Sequence, residues 1–79
     1  VLFRSVVHPG RELRLPVGAG RTFSVMALHG PADGVSVLGG KWRLELAHLD
    51  STEARGVSNE SEDDVVTVST QKGVVTVVV

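Results

Sequence analysis

Three histidines, an acidic run and scattered hydroxyl side chains are the groups in this 79-residue chain that could do chemistry. His8, His29 and His48 could offer neutral nitrogens to zinc at ~2.0–2.1 Å. No two of them stand at i, i+2 or i, i+4, the spacings that put two side chains on one face of a strand or helix. They read instead as polar residues at loop edges. Glu60, Glu62, Asp63 and Asp64 could supply oxygens to calcium, which takes ~6–8 of them. The Asp-x-Asp-x-Asp-Gly run of a calcium loop is absent, so the bland reading is a solvated acidic loop. No metal site and no cofactor is expected, with calcium at these four carboxylates as the alternative. Asn59-Glu60-Ser61 is an N-glycosylation sequon, of consequence only in a eukaryotic secretory setting.

Catalytic patterns are equally sparse. Nucleophilic catalysis needs a Ser or Thr beside a His and an orienting carboxylate. His48-Leu49-Asp50-Ser51 holds those residue types, but triad members meet in space and adjacency in sequence shows nothing. Gly18-Ala19-Gly20 is too short for a phosphate loop and lacks the Lys-Ser/Thr that follows one. With no Cys there is no thiolate nucleophile and no disulfide. The expectation is a chain that is not an enzyme. Eight Lys and Arg stand against nine Asp and Glu, so the basic excess that phosphate neutralisation demands is missing and no nucleic-acid partner is expected. No apolar run approaches the ~20 residues of a membrane helix, and no membrane insertion is expected. The aromatic residues are Phe3, Phe23 and Trp42. A small core would take all three, since each ring buries ~150–250 Å². That leaves none for stacking a sugar, and no small-molecule ligand is expected.

The elements that must position these groups are strands. Phe23, Val25 and Ala27 alternate with Ser24 and Met26, and Leu13, Leu15 and Val17 alternate with Arg14. Residues 64–70 and 73–79 are rich in valine and threonine, whose restricted χ1 suits a pleated surface. The breaks carry turn chemistry: His8-Pro9-Gly10, Gly30-Pro31-Ala32-Asp33-Gly34, Gly39-Gly40 and Gln71-Lys72-Gly73. Seven strands follow, at 1–7, 11–17, 22–29, 34–38, 41–49, 64–70 and 73–79. Residues 41–55 also suit a helix ending at Gly56; the β-rich context favours the strand, which puts Trp42, Leu44 and Leu46 on one face. Residues 51–64 read as an exposed loop. The spacing predicts an all-β fold, a small antiparallel β-sandwich of about seven strands, immunoglobulin-like by preference. Its core would hold Leu13, Leu15, Phe23, Val25, Trp42, Leu44, Val66, Val68, Val75 and Val77, and Trp42→Ala would cost ~3–5 kcal/mol.

Residues 1–79 form a single domain, and apolar residues at both ends make the chain read as a piece of a larger protein. Val74 to Val79 has no charged side chain and no Pro, a hazard if left as a free edge. It must lie between neighbours, be covered on both faces or pair with another chain. The expected partners are neighbouring domains or identical subunits through this terminal strand. Ser58-Asn59, Val66-Thr67-Val68, Lys72-Gly73 and Val74-Val75-Thr76, with the opening Pro9-Gly10-Arg11-Glu12-Leu13, are similar to motifs of bacterial immunoglobulin-like repeats of the invasin and intimin kind. The resemblance lies mainly in the C-terminal third. It implies a non-enzymatic structural or adhesion module of an extracellular or cell-surface protein. The alternatives are a self-assembling subunit, such as a capsid decoration or shell protein, and a carbohydrate- or calcium-binding lectin-like domain.

Overall fold

A computed structural model describes residues 4–50 and 56–79, with the backbone alone for 56 and 57. The expectations placed on Phe3 and on residues 51–55 lie outside the described residues. Eight strands run in order: β1 (Arg4–Val7), β2 (Glu12–Leu15), β3 (Thr22–Met26), β4 (Ala32–Leu38), β5 (Leu44–Leu49), β6 (Gly56–Glu60), β7 (Val66–Ser69) and β8 (Val75–Val78). They form two four-stranded sheets of order β1-β8-β3-β6 and β2-β7-β4-β5, every pair antiparallel. All-β architecture and the two-sheet sandwich are as the alternation predicts. An immunoglobulin-like sandwich would place its first two strands side by side. Here β1 lies beside β8 and β2 beside β7, the order of an eight-stranded jelly roll.

The inner faces meet in one apolar cluster that includes Leu15, Phe23, Val25, Val35, Val37, Val66, Val68, Val75 and Val77. Leu13 and Leu44 pack against it, partly buried. Trp42 departs from the expectation: its residue is 56 % exposed and belongs to the turn before β5. β6 is the strand that the polar reading of residues 51–64 conceals. It pairs with β3 from Thr22↔Glu60 to Met26↔Gly56. β8 runs between β1 and β3, so the valine-rich ladder is satisfied on both sides within the chain.

The β4–β5 pair is irregular. Its register steps from Val37↔Leu44 to Val35↔Ala47 and then to Ala32↔Leu49. One extra residue in β5 is followed by one in β4, so the two bulges cancel and both strands return to phase. Leu46 is the extra residue of β5, at φ 49° and 64 % exposed, and its N–H donates to Ser36 Oγ at 3.2 Å. Gly34 serves β4 at φ +68°; a Cβ there would strike the Gln71 side chain.

Candidate functional site

The connections β2–β3, β4–β5 and β6–β7 gather at one end of the sandwich, and buried polar side chains tie them together. Asn59 occupies an inward position of β6, opposite Phe23, and is 2 % exposed. Its Oδ1 accepts from the Trp42 N–H at 3.0 Å and the Glu60 N–H at 2.9 Å, and its Nδ2 donates to the Trp42 carbonyl. One side-chain amide thus serves both backbone groups of residue 42, as a neighbouring strand would. Satisfying both is what allows the amide to sit in the interior. A Cβ on Gly40 would come within 2.8 Å of that amide, so a side chain at 40 would push the knot apart.

Further bonds close the corner. The Lys41 N–H donates to the Glu60 carbonyl at 2.8 Å, and the N–H groups of Glu62 and Asp63 donate to the Gly39 carbonyl at 2.9 and 3.2 Å. Ser61, also 2 % exposed, accepts from the Arg21 N–H at 2.9 Å and donates through Oγ to the Gly18 carbonyl at 2.6 Å. The three turns therefore form one braced platform. From it the Trp42 indole projects into solvent with the Lys41 ammonium near its face. Beside the same turn lies a depression of about 330 Å³, lined by Leu38, Gly39, Gly40, Arg43, Glu62 and Asp63. Arg43 pairs with Glu45 at 2.9 Å.

The structure separates the other residues singled out from the sequence. His8 and His29 lie in the turns at the opposite end of the sandwich, and His48 pairs with Asp33. Glu60, Glu62, Asp63 and Asp64 are exposed. Among the described residues, no group of three or more His, Asp or Glu is placed to hold a metal ion. In the folded chain the Asn59 amide of the sequon is engaged rather than presented. In the sequence the residue that organises the corner stands out as part of a glycosylation signal and of the Ser58-Asn59 motif, neither of which points to this role. The Gly39-Gly40 pair marks the turn, but no spacing around Asn59 marks its strand.

A family model for the vitamin B1 binding domain of thiamin pyrophosphokinase matches residues 10–75. The chain belongs to this family. Solved structures agree in fold. The thiamin pyrophosphokinase of Geobacillus thermodenitrificans superposes with a TM-score of 0.84 at 19% identity, over 98% of this chain and 36% of its own. That of Bacillus subtilis gives 0.82 at 20% identity, over 98% and 36%. A thiamin pyrophosphokinase family protein of Enterococcus faecalis gives 0.75 at 16% identity, over 98% and 35%. The chain spans about a third of the length of these relatives. No curated protein sequence matches it.

The family match corrects several expectations. The resemblance to invasin and intimin repeats rested on Ser58-Asn59, valine alternation, a Lys-Gly turn and the Pro9–Leu13 opening, short motifs that many antiparallel sheets share, and the family match overturns it. The adhesion role, with its shell-protein and lectin-like alternatives, is overturned by the match over residues 10–75. The expectation that the chain is not an enzyme is corrected by the same match, because the family is the vitamin B1 binding domain of one. The extracellular or cell-surface location depended on the same resemblance and falls with it.

Proposed function

We propose that this chain is the vitamin-recognising part of a thiamin pyrophosphokinase and that the Trp42–Asn59 corner is where thiamin is held. Thiamin joins a thiazolium cation to an aminopyrimidine, two flat rings and a fixed positive charge. Trp is the side chain whose face attracts a cation most strongly, by ~0.5–1 kcal/mol at exposed sites and more when water is excluded. The observation that carries the reading is an exposed indole whose own backbone is clamped by a buried amide. A large apolar ring left in water on a braced platform is pre-organised for a partner, and pre-organisation lowers the entropic cost of binding. The acidic side chains Glu60, Glu62 and Asp63 around the corner favour a cationic ligand.

Pyrophosphoryl transfer also calls for groups that position phosphates and a metal. We assign those to the part of the relatives' length that this chain does not span, and we take that part as the partner of this domain. Trp42 is the only Trp, so its emission reports on the site. Thiamin is expected to quench it saturably, and Trp42→Ala is expected to abolish thiamin binding measured by calorimetry. Wild-type binding that survives Trp42→Ala unchanged would move the site elsewhere.

A further inference from the structure

The ammonium of Lys41 turns back over the ring that follows it, with Nζ 5.4 Å from the Trp42 ring centroid. This lies within the ~6 Å over which a ring face attracts a cation. The side chain starts from a fixed point, since the Lys41 N–H is bonded to the Glu60 carbonyl and the next peptide to Asn59. One face of the indole therefore carries a positive charge supplied by the chain itself, next to the ring assigned above to a cationic ligand.

We propose that Lys41 is a placeholder whose ammonium occupies the ring face taken by the thiazolium, so that thiamin binds by displacing it. The inference rests on the assignment of Trp42 as the vitamin's contact. A compact ammonium on a flexible stem covers little of the ring and is strongly hydrated. A charged heterocycle offers the same charge and a flat area to stack, and so wins the exchange. A neutral heterocycle of the same shape offers area without charge and must evict a cation. Lys41 thus weakens every ligand that takes this face by the same factor, the cost of giving up its own contact with the ring.

The test uses the 79-residue chain, with Trp42 emission and the proton spectrum of Lys41 as readouts. In the free protein the Lys41 side-chain protons nearest the ammonium are expected upfield of random-coil positions, a shift removed by Trp42→Leu. Random-coil positions in the wild type would overturn the proposal whatever thiamin does. Added thiamin is expected to return those protons downfield as the indole is quenched. Lys41→Gln is expected to tighten thiamin about two- to fivefold, the loss of one exposed competing contact. A neutral aminopyrimidine that stacks on the same face is expected to gain by the same factor. Unchanged or weaker thiamin binding by Lys41→Gln, with the wild type still binding, overturns the placeholder alone. A wild type that does not bind thiamin overturns the site assignment and the placeholder together.

Discussion

At the scale of single residues, Asn59 and Trp42 exchange the roles that their types suggest. The amide is interior and the indole is outside. Removing the amide by Asn59→Ala leaves both backbone groups of Trp42 without their partner, so the loss should be about 1–3 kcal/mol in urea unfolding. Trp42→Ala should cost under ~1 kcal/mol, because exposed side chains contribute little to stability. A loss of ~3 kcal/mol or more would put the ring back in the core. Thr76 offers an opposite case. It is 2 % exposed on the outer side of its sheet, between Val6 and Met26, and its Oγ1 has no hydrogen-bond partner among the described residues. Thr76→Val keeps the shape and removes an unsatisfied hydroxyl. It should raise stability by about 1 kcal/mol, seen as a rise of ~4–8 °C in Tm. A lower Tm would show that the hydroxyl is satisfied in solution.

At the scale of elements, the bulged pair β4–β5 decides which faces the side chains meet. Leu46 holds a backbone conformation that L residues avoid at a cost of ~1–2 kcal/mol, whereas Asn tolerates it. Leu46→Asn should therefore leave stability unchanged or improve it by ~0.5 kcal/mol, while Gly34→Ala should lose ~1 kcal/mol or more from the same conformation and the Gln71 contact. Both are read from denaturant midpoints at constant slope. The bulges also explain what alternation could and could not reveal. Phe23, Val25, Val66, Val68, Val75 and Val77 lie in unbroken strands, where a period of two holds and their inward direction is legible. Counting by two back from Leu44 wrongly carries Trp42 into the core, since β5 begins only at Leu44. β6 escapes the eye because its described inward residue, Asn59, is polar, so the strand lacks the apolar beat by which strands are recognised. The candidate site was hidden for the same reason: its keystone works through backbone groups of a distant turn, and sequence spacing carries no record of that meeting.

At the scale of the whole molecule, the sheets form a body of 29 × 23 × 18 Å. Its radius of gyration is 11.1 Å, close to the ~11.6 Å expected of a compact chain this long. Its pairings join β1 to β8 and β2 to β7, so most ladders close large loops. Such topologies fold in milliseconds to seconds, and a stopped-flow chevron should fall in that range. On the proposed site, thiamin at ~100 times its Kd should add ~2.7 kcal/mol to the unfolding equilibrium. The pairing of the first and last strands of the chain order has a constructive consequence as well. Arg4 faces Val78 across one ladder, while the Trp42 corner lies at the end away from the His8–Arg11 turn. A circularly permuted version, sealed by a short linker from residue 79 to Arg4 and opened between Pro9 and Gly10, would keep every hydrogen-bonded ladder. It should melt cooperatively and leave the Trp42 corner intact, giving protein engineers a second polarity in which to splice the same sandwich.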